Sequence, residues 1–316
     1  MNTFATRPLF GLACSFALPL FAAVACSSSS SNDDVSADQA ATDASSALCE
    51  ALQKCAPLLV QITYGDVDAC KSRSKVGFQP ALSANGTSLT ASQLESCAQD
   101  LGGATCEKLV GHDLPASCQT KPGTLTDGAA CGTDQQCQNR LCRKDATAAC
   151  GTCSKLGAAG DACTANEECD YGLGCTSGVC SAFVTAGNPC DTNHACNPTL
   201  VCKSGTCGTP GEAGEACEPP TSLASTCNLV EGLFCGANRI CAQLQYAGPG
   251  EPCGLVDGRG VGCSGAGTCR TTGGLSGTCQ APAADGSACS ATGPSCTSPA
   301  RCVGNVCKID DPTACK

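Results

Sequence analysis

Tryptophan is absent from the 316 residues, methionine occurs once, histidine twice, and aromatic residues make up 3% of the chain. From residue 120 onward the only aromatics are Tyr171, Phe183, Phe234 and Tyr246, so that region has little with which to fill a conventional core. After residue 25 no segment approaches the ~18 uninterrupted apolar residues of a membrane-spanning helix. Basic residues are scarce, with 18 Lys and Arg against 28 Asp and Glu and a net charge of −10. That balance disfavours nucleic acid as a partner and favours solubility.

Catalytic phrases are missing as well. Gly262-Cys-Ser264-Gly-Ala266 lacks the last glycine of a nucleophile elbow, and Gly258-Arg-Gly260 meets Cys263 where a dinucleotide fingerprint needs its third glycine. These glycines read as loop residues. His112, at an expected helix end, and His194, inside a four-cysteine unit, read as surface histidines rather than hydrolytic bases. The acidic residues do not follow the EF-hand spacing. The sequence therefore predicts no enzyme, no metal site and no cofactor.

At the N-terminus, Arg7 is the only charge before a mostly apolar run from Pro8 to Ala25, which reads as a secretion signal over residues 1–25. The junction Ala22, Ala23, Val24, Ala25, Cys26 resembles the lipobox of bacterial lipoproteins. The resemblance implies cleavage before Cys26 and lipidation of that cysteine by diacylglycerol and an N-acyl chain of the palmitate type. Ala23 stands where that family usually has leucine, which leaves ordinary cleavage after Ala-Val-Ala as the alternative. Ser27 after the lipid cysteine resembles cargo sent to the outer membrane and cell surface. From 34 cysteines, loss of Cys14 with the signal and lipidation of Cys26 leave 32, an even number that can all pair. Losing Arg7 also leaves 17 basic residues against 28 acidic, a charge of −11. Residues 26–46 are almost wholly Ser, Asn, Asp, Ala and Thr, with Val35 the only large apolar residue, and are expected to form a flexible tether.

Residues 47–119 hold few cysteines, Cys49, Cys55, Cys70, Cys97, Cys106 and Cys118, and many helix signals, so a small helical domain stapled by disulfides is expected. Leu48, Leu52, Cys55 and Leu59 fall on one helix face. Thr90 and Gln93 form a capping box before Leu94, Cys97 and Leu101, with Gly102 as the stop. Shorter helices are expected around Val67 to Ser74 and Thr105 to Val110. Six residues of helix separate Cys49 from Cys55 by about 9 Å, beyond disulfide reach, so each must bridge to another segment.

Residues 127–315 repeat. Each unit opens with a turn phrase such as Asp127-Gly-Ala-Ala-Cys131 or Ala159-Gly-Asp-Ala-Cys163, with glycine three residues before the cysteine, and units start near 131, 163, 190, 217, 253 and 289. Two share Cys-x5-Cys-x5-Cys-x4-Cys: Cys163, Cys169, Cys175, Cys180 and Cys190, Cys196, Cys202, Cys207. Cys289, Cys296, Cys302, Cys307 differ by one inserted residue, while Cys217, Cys227, Cys235, Cys241 and Cys253, Cys263, Cys269, Cys279 have longer loops. Thr176-Ser-Gly-Val179, Lys203-Ser-Gly-Thr206 and Val303-Gly-Asn-Val306 predict tight hairpins, so two short strands per unit are expected. Four cysteines allow three pairings, and the spacing does not choose among them. Cys315 completes the set.

Cysteine here exceeds the ~8–10% of a disulfide scaffold, so cross-links are expected to replace burial. Cys150-Gly-Thr-Cys153 has zinc-knuckle spacing, but an exported chain meets an oxidising compartment, and no Cys-x-Cys pair marks a metal store. A redox role for this pair would place it at a helix start, whereas Ala146 to Thr152 and Gly157 to Gly160 read as turns.

Cys131, Cys137, Cys142, Cys150, Cys153 and Cys163 are spaced like the cysteine-rich N-terminal region of Dickkopf proteins, and the following units resemble EB-type modules. The resemblance covers residues 127–207 well and the later repeats loosely. It implies a secreted disulfide scaffold. It does not extend to Wnt co-receptor antagonism, because the second, colipase-like domain that carries receptor binding is not found. The whole chain also resembles cysteine-rich lipoproteins of Gram-negative bacteria. The expected protein is a surface-exposed or periplasmic lipoprotein whose tandem disulfide-rich modules follow a helical domain and bind an extracellular protein or glycan. An inhibitor of secreted proteases is the alternative. Candidate contact loops are Glu218 to Thr226 and Gly254 to Gly262, chosen by length.

Overall fold

In the computed structural model, which describes residues 35–145, 147–217, 226–236, 238–271, 273–290 and 292–315, five helices precede a series of small sheets. Cys14, the expected signal at 1–25, Cys26 and the start of the expected tether lie outside the described residues. Helix α1 (Ala37–Cys55) starts where the Ser36 hydroxyl caps Gln39 N at 3.1 Å. It ends at Ala56 because Pro57 disfavours helical backbone in the residue before it. Proline then opens α2 (Pro57–Thr63), where its missing N–H costs nothing. Asp66 caps α3 (Val67–Ser83), Thr90 caps α4 (Ala91–Leu101) and Thr105 caps α5 (Cys106–Val110), each accepting from the amide three residues on.

Three expectations for this region change. The tether expected over 26–46 is helical from Ala37, and Ala40, Ala41 and Ala44 are buried. Alanine is the best helix former and lets helices approach closely, a capacity missed by counting only large apolar residues. The Leu48 to Leu59 face is broken at Ala56, and Leu59, in α2, is 43% exposed. The helix expected over Val67 to Ser74 continues to Ser83, with Pro80 inside it. Of the expected capping box only the Thr90 half forms, because the Gln93 side chain turns to the Ser117 and Gln119 carbonyls. The inference that Cys49 and Cys55 bridge elsewhere holds: the pairs are Cys49–Cys70, Cys55–Cys106 and Cys97–Cys118.

The six repeat units share one wiring, first cysteine to third and second to fourth, as in Cys163–Cys175 with Cys169–Cys180 and Cys190–Cys202 with Cys196–Cys207; the first unit holds an extra cysteine, Cys150, so that Cys153 takes the fourth place there, in Cys131–Cys142 with Cys137–Cys153. Third and fourth cysteines face each other across an antiparallel hairpin, as in Cys175↔Cys180, Cys202↔Cys207 and Cys302↔Cys307. The expected hairpin turns are present. Ser177 with Gly178, Ser204 with Gly205, and Gly304 with Asn305 all have positive φ, the type I′ geometry whose twist matches the flanking strands.

The recurring glycine has a stated task. Gly128, Gly160, Gly187, Gly214, Gly250 and Gly286, with φ between 80 and 94°, donate their N–H to the carbonyls of Cys153, Cys180, Cys207, Cys241, Cys279 and Cys307 at 2.8–2.9 Å. The next residue accepts from the same cysteine's N–H, as Asp161 does from Cys180 at 2.8 Å. Only glycine adopts that φ without strain.

Two units exceed the two strands expected. The first forms a three-stranded sheet from Ala130–Cys131, Gly151–Lys155 and Arg140–Arg143. The fifth belongs to a five-stranded sheet in which Pro252–Val256 pairs with Arg259–Cys263. Gly254 to Gly262 is therefore a hairpin rather than a loop, with Gly260 in a strand and Gly258 in its turn. The other candidate loop falls largely on 218–225, outside the described residues.

The units do not form an open string. Cys150 pairs with Cys315 across 165 residues and joins the first unit to the end of the sixth. Beside that bridge, Asp310 accepts from Lys144 Nζ at 2.7 Å and from Arg301 Nη2 at 2.9 Å, and Arg301 Nη2 also reaches the Ala148 carbonyl at 2.8 Å.

Every unit touches the helical region. Gln136 Nε2 donates to the Asn85 carbonyl (2.7 Å), Gly172 N to that of His112 (3.2 Å), Gly265 N to that of Gln61 (3.0 Å), and Arg73 Nε to that of Ser298 (2.9 Å). Between the second and fifth units, Asn197 packs on Gly111, where a Cβ would stand 2.5 Å from its Nδ2, and the turn Leu229–Glu231 packs on α2. The repeats thus form a covalently closed ring, each unit of which contacts the helices as a common hub, and residues 35–315 belong to one compact unit.

Replacing Cys150 and Cys315 together by serine is expected to cost about 4 kcal/mol, since the cross-links inside the ring shorten the loop they close. Guanidinium unfolding and amide exchange check this. Exchange should quicken at both ring ends, around Gly132 and Thr313, whereas Cys190→Ser with Cys202→Ser should loosen the third unit alone. Identical exchange patterns would disprove the closure.

Candidate functional site

Every cysteine from Cys49 to Cys315 is bonded, in sixteen bridges. Sulfur clusters such as Cys131, Cys137 and Cys142, whose atoms lie within 4.8 Å of one another, therefore present no thiolate to a metal. Cys150 and Cys153 bond to Cys315 and Cys137, and Cys153 lies in a strand. They are not a redox pair with each other. Cys163, last in the Dickkopf-like spacing, bonds to Cys175 in the second unit. That six-cysteine phrase is accordingly not closed on itself.

The histidines lie apart. His112, just past α5 with φ 59°, is half-buried rather than the surface histidine expected; it packs its ring on Tyr171 with centroids 5.3 Å apart, and its buried Nδ1 has no hydrogen-bond partner among the described residues. The Tyr171 hydroxyl accepts from Thr120 N at 2.7 Å, so this stack joins the second unit to the hub. His194 is exposed and meets Asp191 Oδ1 at 2.8 Å. Among the described residues, no hydrogen bond joins either histidine to a serine.

Two carboxylates are shifted by the junctions they occupy. Burial pushes the Asp134 carboxyl up, against the lowering effects of the Cys142 N–H and of Lys144. At the junction of the sixth unit with α3, the hydrogen-bonding Arg73 guanidinium holds the Asp285 carboxyl below its usual range. That pair is bidentate, at 2.6 and 2.9 Å, the strong form of an Arg–carboxylate contact.

Sequence reasoning missed a cavity of about 420 Å³ where hub and ring meet. Helix α1 contributes Ala44 and Leu48, α3 contributes Phe78 and Ala81, and α4 contributes Gln93 and Leu94, with Gln135 and Pro299 closing it from the ring. Small side chains on α1 and α3 leave the space: the neighbouring core is mainly Ala40, Ala41, Ala44, Ala81 and Ala98 with Leu89 and Leu94. No Asp, Glu, Lys, Arg or His lines it among the described residues. Gln93, 9% exposed, points its Nε2 at the Ser117 and Gln119 carbonyls at 3.4 and 3.3 Å. Its Oε1 accepts no hydrogen bond among the described residues. The alanines at 40, 41 and 44 were the available signal, but their meaning depended on which faces meet.

A chain with sixteen disulfides folds in an oxidising compartment outside the cytosol. Among the described residues, no helix is long and apolar enough to cross a membrane. The chain matches no protein-family model, no curated protein and no solved structure.

The Asp285 shift carries a signed pH dependence. A carboxyl depressed in the folded state contributes stability that is present above its unfolded value, about 4, and is lost as pH falls through the lower folded value. Asp285→Asn should remove that part of the acid sensitivity. The fall in Tm from about pH 5 to about pH 2.5 should then be smaller than in the parent chain. An unchanged fall would mean the pair contributes nothing to docking.

Proposed function

We propose that this protein is an exported lipoprotein, held to a membrane surface through acylated Cys26, that acts outside the cytosol as a rigid, non-catalytic binding scaffold. The observation that carries the reading is the closed ring, whose six units are each stapled twice and joined end to end by Cys150–Cys315. Such a frame holds its surface in one arrangement before a partner arrives, which lowers the ordering cost of binding. The lipobox-like junction at Cys26 and the even set of 32 paired cysteines support the anchor, and Ser27 supports the outer membrane as destination. The partner is an extracellular protein or glycan. The likeness of residues 127–207 to Dickkopf and EB-type modules supports the scaffold and no signalling role.

The anchor is tested by the intact mass of protein extracted from its native membrane, with thiols alkylated before and after reduction. A chain starting at Cys26 with three acyl chains, and 32 thiols appearing only after reduction, is expected. An unacylated start would remove the anchor.

One observation favours the protease-inhibitor reading as a second function. Leu275, 76% exposed, stands at the tip of the hairpin Thr268–Thr271 and Ser276–Gln280, whose paired Cys269 and Cys279 are both bridged. A stapled apolar tip suits a protease with an apolar primary pocket, such as chymotrypsin. Stoichiometric inhibition of chymotrypsin is expected, reduced at least about tenfold by Leu275→Asp, since burying the new charge is unfavourable. Rapid cleavage after Leu275 would exclude this reading.

A further inference from the structure

We infer that the cavity between hub and ring binds an uncharged, largely aliphatic small molecule with one hydroxyl donor, of the long-chain alcohol class. At about 420 Å³ it falls within the ~300–1,000 Å³ typical of small-molecule sites. Folded interiors are close-packed. This space persists because Ala44, Gly77 and Ala81 stand where larger side chains would fill it.

The lining sets the ligand's charge. With no ionisable acid or base among its described lining residues except Tyr64, a carboxylate, phosphate or ammonium would enter without a counter-ion, which is strongly unfavourable. Leu48, Phe78, Leu94 and Leu114 set its apolar body. Gln93 sets its polar end: a nine-tenths buried amide whose Oε1 is free to accept one hydrogen bond calls for a donor, which a hydroxyl supplies and an ester does not. The ring completes the site, because Thr133, Gln135 and Pro299 come from the first and sixth units. The assignment rests on the reading of the chain as a binding scaffold and names its ligand class.

The test uses the purified full chain with Cys26→Ala, so that no acyl chain of its own is attached, and 1,6-diphenyl-1,3,5-hexatriene, a hydrocarbon without hydrogen-bonding groups, as the uncharged fluorescent probe. One probe should bind per chain and be displaced by 1-dodecanol, with dodecanoate and dodecyltrimethylammonium at least about tenfold weaker. Ala81→Phe, which fills the space, should abolish probe binding. Gln93→Leu should weaken dodecanol about tenfold, the worth of one hydrogen bond, while leaving the probe within about twofold. If Ala81→Phe fails to form its sixteen bridges, the Gln93→Leu split decides alone. Absence of probe binding, equal displacement by all three amphiphiles, or loss of binding in Leu275→Ser would overturn the assignment. Turnover of the bound alcohol would instead keep the cavity and remove the non-catalytic reading.

Discussion

Two interlocked disulfides in each repeat unit are the constraint on which the rest depends. Third and fourth cysteines sit opposite each other across a hairpin, and each reaches back to an earlier cysteine, so four sulfurs stack as the core of a unit. In the first unit the buried cluster is Cys131, Cys137, Cys142 and Cys153, with Leu125 against it. A segment with four aromatics in nearly two hundred residues draws most of its core from these sulfurs, with single aliphatic residues such as Leu233 and Ala247 beside them. The left-handed glycine before each first cysteine follows from the same geometry, because its N–H must meet the fourth cysteine's carbonyl where the chain turns into the unit.

The ring follows from what such units lack. A module with a sulfur core buries little apolar area of its own. The units are therefore held by specific polar contacts to the helices, such as Arg73 with Asp285 and Gln136 with Asn85, and by Cys150–Cys315 with the Asp310 ion pairs beside it. Surface ion pairs alone contribute little. A covalent closure makes them cooperative, since no unit can leave without straining its neighbours.

The hub is built on the opposite material. Its helices are capped by Ser36, Asp66, Thr90 and Thr105 and meet through alanine, which permits close approach but fills little volume. Close approach on one side and the ring on the other leave the apolar cavity between them. The two halves of the molecule thus need each other: the ring covers a hub too thin to be well packed alone, and the hub gives every unit a surface to dock on.

Much of this was legible before any coordinates. Cysteine number and spacing marked six units, the Ser-Gly and Gly-Asn pairs marked hairpin turns, and the helical distance between Cys49 and Cys55 excluded a bridge between them. These are local properties, set by backbone sterics and chain reach within a few residues. The Thr90 cap was legible for the same reason, while α1 was misjudged because alanine is informative only once a partner face is known. Tertiary structure alone decided which pairing each unit takes, that Cys150 meets Cys315, and that every unit touches the helices. Those are contacts between residues far apart in the chain, and spacing carries no term for which distant surfaces will meet.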